Sequence, residues 1–194
     1  MQLIYTPKSH YARKDRILID ALGLEVELVD AGNVAEQDPA IFAHNPLMKV
    51  PTLIDGEQVV YESDHIAAYL VRQFDPQDRF AVLTTDPDQL NLRAVMNGVM
   101  AAEVELVMAE RTGIDTRQYD RFEKFRTTVQ QGLQWLEQQV DGLSSQPTYN
   151  GFHLVCLWDH LVLYDMFDLP SGQLSQRVAE LSSLPYVANS VPVD

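Results

Sequence analysis

Apolar residues in the first third of the chain switch between strand and helix spacing several times, whereas beyond residue 86 almost all of them recur at helical intervals. Gln2 to Tyr5 and Val26 to Val29 read as short strands. The helical pattern between them places Tyr11, Ala12, Leu18, Ile19 and Leu22 on one arc, sets Arg13, Arg16 and Asp20 opposite, and ends at Gly23. A βαβ opening follows. A second short helix is predicted around Ala40 to His44, then a strand from Pro51 to Ile54, a turn at Asp55-Gly56, and a strand over Gln58 to Tyr61. Asp-Gly between apolar runs is a hairpin signal, because glycine accepts the positive φ of such turns. Ser63 is expected to cap the next helix, which carries Ile66, Ala67 and Leu70.

The stretch from Asp75 to Asp88 holds two Asp-Pro steps and reads as a linker. Four helices are predicted after it: Leu90 to Glu110, Tyr119 to Val140, Leu154 to Phe167 and Leu174 to Leu181, with a loop over Gly142 to Gly151. The first presents small residues, Ala94, Gly98, Ala101 and Ala102, that would admit a close neighbour. The second buries Phe122, Phe125, Val129, Leu133, Leu136 and Val140, and the third is apolar nearly all round and so expected to be central. No internal repeat or low-complexity tract interrupts the pattern.

Charge narrows the partners. With 14 Lys+Arg against 28 Asp+Glu, the chain of 194 residues carries a formal charge of −14. Such a field repels nucleic-acid backbones and anionic membrane surfaces, so neither is an expected partner. An anionic ligand would have to be held by local donors. A hydrophobic content of 46 % argues against disorder. No apolar run reaches the roughly 20 residues that span a bilayer. The opening MQLIYTPKSHY has no secretory pattern, so a cytoplasmic location is expected. The single cysteine, Cys156, excludes an internal disulfide and a CxxC pair.

Three short segments carry candidate chemistry. Ser9 follows the first strand and opens the first helix, where unpaired backbone N–H groups favour anions. It reads either as an N-cap or as a hydroxyl that donates to a bound thiolate. Val50-Pro51 opens a strand: a trans proline would trim a sheet edge, while a cis bond would turn the Val50 N–H and C=O outward to pair with an extended peptide. Glu62-Ser63 follows another strand and reads either as a capping signature or as a pair that takes an ammonium and a carboxylate.

Taken together, Ser9 with Arg13-Lys14, Asn45-Pro46 with Lys49-Val50-Pro51, and Glu62-Ser63 with Ile66-Ala67 and Tyr69-Leu70 resemble the glutathione transferase family in order and spacing. The ending Pro185 to Pro192 is similar to that of many bacterial members. The resemblance implies a thioredoxin-like α/β domain (βαβαββα, mixed sheet) over 1–75, a linker over 76–87 and an all-helical domain over 88–194. It further implies glutathione as co-substrate, no metal, a small electrophile or mixed disulfide as second substrate, and a homodimer. In these terms Ser9 is the thiol-activating hydroxyl, with Tyr5 at the end of the first strand as the alternative. Lys49 would meet the glycine carboxylate, the Val50 backbone presented by Pro51 the cysteinyl part, and Glu62 and Ser63 the γ-glutamyl end. Arg13, Lys14 and Lys49 would supply local positive charge. Asn97, Met100 and Glu103 are candidates for the second-substrate pocket.

Departures from the family pattern are also visible. His10 stands where a proline often follows the serine, and Asp15 falls on the apolar arc of the first helix, where partial exposure is the first expectation and a buried acid with an unidentified partner the second. A capping Ser or Thr with an Asp three residues on commonly starts the family's central helix. Counted from His153, those places hold His153 and Cys156. The same helix spaces His153, Cys156 and His160 as metal ligands could be, but in a buried helix they read first as satisfied core residues. Ser9-His10 does not make a hydrolytic pair, since neighbours at a helix start point apart. The contrasting functional class is a non-catalytic binding module on the same fold, similar to the stringent starvation proteins that contact RNA polymerase.

Overall fold

The computed structural model describes residues 1–35, 38–43 and 45–192. They fall into two units, one of residues 1–83 with the chain's end from 183, the other of residues 84–182.

In the first unit, strands β1 (Gln2–Tyr5), β2 (Glu27–Asp30), β3 (Thr52–Asp55) and β4 (Gln58–Tyr61) form one mixed sheet in the order β2-β1-β3-β4. β1 and β2 are parallel, joined by helix α1 (His10–Leu22); the other pairs are antiparallel. Helix α2 (Ser63–Phe74) follows β4 directly. Alternation in β1 and β3 and the helical arcs send Leu3, Leu53, Ile19, Ile66 and Leu70 into one core, with Val26, Val60 and Tyr69 at its edge. The paired bonds Gly23 N–H to Asp20 C=O and Leu24 N–H to Ile19 C=O end α1 where the sequence predicts.

Several expectations are corrected. The segment expected to be a short helix at 40–44 is a 3-10 turn, Pro39–Phe42, begun by the Asp38 side chain accepting from the Ala40 N–H; His44 lies outside the described residues. Ser63 is the first helical residue of α2 and not its cap: the cap is Glu62, whose side chain makes no capping bond. Asp15 is wholly buried instead of partly exposed. The end of the chain forms a short helix, α7 (Pro185–Ala188), and belongs to this unit: Arg13 Nε donates to Ser190 Oγ at 3.0 Å, and Asn189 Nδ2 to Asp20 Oδ2 at 3.3 Å.

The second unit is helical: α3 (Pro87–Arg111), α4 (Asp120–Gln138), α5 (Tyr149–Tyr164) and α6 (Gln173–Ser182). α3 starts at Pro87 behind an Asp86 cap, a turn earlier than its apolar pattern indicates. α5 is almost wholly buried over Tyr149 to Leu157, as its apolar circumference requires. Its start is also corrected. Thr148 is the cap, its Oγ1 accepting from the Gly151 N–H at 3.1 Å, so the usual acid three residues on is replaced by glycine. The close approach of helices is made by Gly132 of α4, where a Cβ would clash with Val99 Cγ2. Ala94, Gly98 and Ala101, expected to admit a neighbour, are exposed. No helix among the described residues is long and apolar enough to cross a membrane.

Candidate active site

Strand register fixes which segments meet. Ile4 of β1 pairs with Thr52 of β3, and Thr52 pairs with Tyr61 of β4. Because both pairs are antiparallel, the chain leaving β1, the chain entering β3 and the chain leaving β4 emerge at one end of the sheet. Neighbouring strands are about 4.8 Å apart. Thr6 to Ser9, Lys49 to Pro51 and Glu62-Ser63 therefore line one edge, and all three candidate segments stand together.

Ser9 is half-buried and caps α1. Its Oγ accepts from the Ala12 N–H at 3.2 Å, and its own N–H donates to the Thr6 C=O at 3.1 Å. A hydroxyl has one proton to give besides its acceptor lone pairs. Only the acceptor side of Ser9 is engaged among the described residues, which leaves the O–H to point a donor at a ligand. Tyr5, the alternative, is half-buried at the end of β1 with the Arg16 guanidinium 4.9 Å above its ring. His10 is buried, its ring 4.5 Å from that of Tyr11.

The middle segment hangs on Asn45, which is almost fully buried. Its Nδ2 donates to the Lys49 C=O at 3.0 Å and to Thr52 Oγ1 at 3.1 Å, while its Oδ1 accepts from the Leu47 N–H at 3.0 Å. One amide thus bridges both sides of the Val50-Pro51 bond, which is cis. Pro51 is buried, Val50 half-exposed and Lys49 exposed. No hydrogen bond among the described residues uses the Val50 main-chain N–H or C=O.

Glu62 adopts φ 68° and ψ 126°, a conformation that costs a residue with a Cβ about 1–3 kcal/mol. The strain turns the chain sharply out of β4 so that α2 starts at the sheet end, with the exposed Glu62 side chain at its mouth and Ser63 buried at its first turn.

The positive residues divide. Lys14 is wholly buried, its Nζ 2.7 Å from Asp64 Oδ1, and Arg13 is buried against Ser190. Of the three cations expected to make a local positive field, only Lys49 is exposed. Burial holds the Asp15 carboxyl well above the usual carboxylate range; the Lys14 charge counters this, and the Asp64 charge adds to it. Neither Asp15 oxygen has a hydrogen-bond partner among the described residues. Two residues with a clear positioning part were not singled out for it from sequence: Asn45 as the loop pin and Asp64 as the Lys14 partner. Position does signal the second, since an acid in the first turn of a helix is favoured there.

In the helical unit, Met100 and Glu103 are buried against α5, Met100 Sδ meeting His153 Nε2 and Glu103 Oε1 lying 2.8 Å from His160 Nδ1. Asn97 is half-buried. His153 and His160 thus face different partners, so the spacing of His153, Cys156 and His160 does not make one ligand set.

Residues 3–78 match the glutathione S-transferase N-terminal domain. The whole chain is also similar to solved structures. A glutathione transferase family member from Pseudomonas fluorescens Pf-5 with bound glutathione has 26 % identity and a TM-score of 0.83, over 100 % of this chain and 99 % of that one. A glutathione S-transferase from Methylobacterium radiotolerans in complex with glutathione sulfonate has 25 % identity and a TM-score of 0.80, over 100 % of this chain and 95 % of that one. The chain thus carries a glutathione S-transferase N-terminal domain and shares the fold of these transferases over its full length. The Ser9, Val50 and Glu62 segments, gathered at one end of the sheet, lie within or beside the strands of that matched domain. A third relative, a glutathione S-transferase from Methylobacillus flagellatus with glutathione bound, has 25 % identity and a TM-score of 0.80 over 99 % of both chains.

Proposed function

We propose that this chain is a serine-type glutathione transferase, in which the Ser9 hydroxyl stabilises the thiolate of bound glutathione for attack on a small electrophile or a mixed disulfide. The observation that carries the reading is the register Ile4, Thr52, Tyr61, which gathers a donor hydroxyl, an unspent main-chain N–H and C=O and a helix mouth at one sheet end. Glutathione in two of the similar structures and glutathione sulfonate in a third support glutathione as the ligand.

The chemistry follows from charge placement. A free thiol has a pKa near 8.5, and one hydrogen bond to its ionised form beside a helix N-terminus lowers it by roughly a unit or more. The thiolate fraction at neutral pH rises severalfold. In this reading Ser9 Oγ–H donates to the sulfur while Ala12 N–H holds the oxygen in place. The Val50 main chain pairs with the cysteinyl part, Lys49 meets the glycine carboxylate, and Glu62 and Ser63 hold the γ-glutamyl ammonium and carboxylate. Catalysis then rests on a nucleophile kept ionised and positioned. The second substrate is proposed to meet the helical unit near Asn97, with Met100 and Glu103 shaping that part of α3 from beneath. The exposed small-residue face of α3, Ala94, Gly98 and Ala101, is proposed as the homodimer contact.

Retention on immobilised glutathione tests the binding half of this reading. Wild-type protein is expected to bind and to elute with free glutathione, and Lys49→Ala and Glu62→Ala to elute earlier. Failure to bind, with a polymerase or another protein recovered in its place, would favour the non-catalytic module.

A further inference from the structure

In the helical unit a cleft of about 480 Å³ opens where α3 and α5 end, within the size range of small-molecule sites. Three arginines line it, Arg111 from the last turn of α3, Arg117 from the 3-10 turn Thr116–Gln118, and Arg126 from α4. That is a notable concentration in a chain with 14 Lys+Arg against 28 Asp+Glu.

The three are not equivalent. Thr116 is wholly buried; its N–H and Oγ1–H both donate to Glu110 Oε1, at 3.0 and 2.6 Å, and its Oγ1 accepts from Arg126 Nη2 at 2.8 Å. Arg126 is therefore tied through a hydroxyl to Glu110, with Glu123 a further 3.7 Å contact, and forms a rigid back wall. Asp115 is also turned to its own backbone, accepting from the Arg117 N–H at 3.1 Å and from Gln118 Nε2 at 2.9 Å. These bonds hold both Glu110 and Asp115 below the usual carboxylate range. By contrast, the exposed guanidinium groups of Arg111 and Arg117 make no hydrogen bond or ion pair among the described residues.

Two unspent guanidinium forks on one cleft match an oxyanion, since each offers parallel N–H donors that fit a carboxylate bidentately. Val107, Met166 and the Tyr164 ring add an apolar side, and Tyr164 is itself steadied by the His160 ring at 4.7 Å. The acids Glu110, Asp115 and Asp165 balance the three arginines, so the cleft suits a single negative charge better than a phosphate dianion. We propose that this cleft binds a small organic carboxylate with an apolar or aromatic body, at a site separate from the glutathione reading above.

Sodium benzoate is the probe. Calorimetric titration of the full chain at low salt is expected to give saturable binding near one per chain, with a dissociation constant of about a millimolar or tighter, weakened severalfold at high salt. Arg111→Gln/Arg117→Gln is expected to weaken it by about tenfold or more with an unchanged melting temperature, because both side chains are exposed. Arg121→Gln, an exposed arginine that does not line the cleft, should leave binding unchanged. Absence of saturation, equal binding by the double variant, or equal loss in Arg121→Gln would overturn the site. Inorganic phosphate binding as tightly as benzoate would overturn the carboxylate assignment. Retention on immobilised glutathione, measured in parallel, is expected to be the same for all these variants.

Discussion

Lys14 Nζ lies 2.7 Å from Asp64 Oδ1, joining the helix that Ser9 opens to the helix that Ser63 opens. The lysine is completely buried and the aspartate 29 % exposed, so the pair is shielded on one side only. It fixes the two helix mouths relative to each other, and with them the two ends of the proposed glutathione site.

Lys14→Met keeps the length and removes the charge. Breaking a partly buried pair by deleting one partner is expected to cost about 2–3 kcal/mol. Chemical denaturation would measure it, and the same variant should elute earlier from immobilised glutathione. A double-mutant cycle with Asp64→Asn is expected to show coupling, since the second change removes a partner already lost.

Asp15 gives a pH prediction with a definite sign. Its folded-state pKa is raised, chiefly by burial, so the folded protein holds a proton that the unfolded chain releases above the ordinary carboxylate range. Stability from this group is full below that range and falls as pH rises toward the folded value. Asp15→Asn is expected to raise the melting temperature at neutral pH and to change it little near pH 4. Thermal melts across that interval check the prediction, and an equal shift at both ends would contradict it.

Glu62 is held at φ 68°, where glycine is at ease and glutamate is not. Glu62→Gly is therefore expected to be neutral or to stabilise by up to about 1 kcal/mol, the opposite of an ordinary change to glycine. Retention on glutathione should fall in the same variant, because the carboxylate proposed to meet the γ-glutamyl ammonium is gone. Stability and binding that fall together would argue that the strain is structural only.

A cap on α6 offers a test within the helical unit. The Glu137 carboxylate accepts from the Gln173 N–H at 2.8 Å and the Leu174 N–H at 3.2 Å, and a Cβ on Gly172 would clash with Glu137 Oε1. Glu137→Ala and Gly172→Ala should each cost about 1–2 kcal/mol, and the double variant little more than the larger single, because both remove one cap.

How legible these features were depends on the range of the interaction. β1 and β4, the Ser9 cap and the Gly23 stop follow from neighbours within four residues, and the sequence pattern places them as observed. The start of α5 does not, because a helix apolar nearly all round offers no polar face from which to count back to Thr148. Glu62 as strained cap was missed for a related reason: Ser63 is the usual capping type, and only the chain's exit from β4 shifts the boundary by one. The fates of Arg13 and Lys14 lie furthest from local rules, since their partners Ser190 and Asp64 are 177 and 50 residues away. At the candidate site, residue types and order were readable, while the Asn45 pin needed the fold.

The central claim is that the Ser9 hydroxyl keeps the sulfur of bound glutathione ionised. Its most direct test is the ultraviolet difference spectrum of the glutathione complex, titrated with pH in wild type, Ser9→Ala and Tyr5→Phe. A thiolate signal with an apparent pKa roughly a unit or more below that of free glutathione, retained in Tyr5→Phe and lost in Ser9→Ala, is the predicted result. A signal unchanged by Ser9→Ala and abolished by Tyr5→Phe would contradict the account.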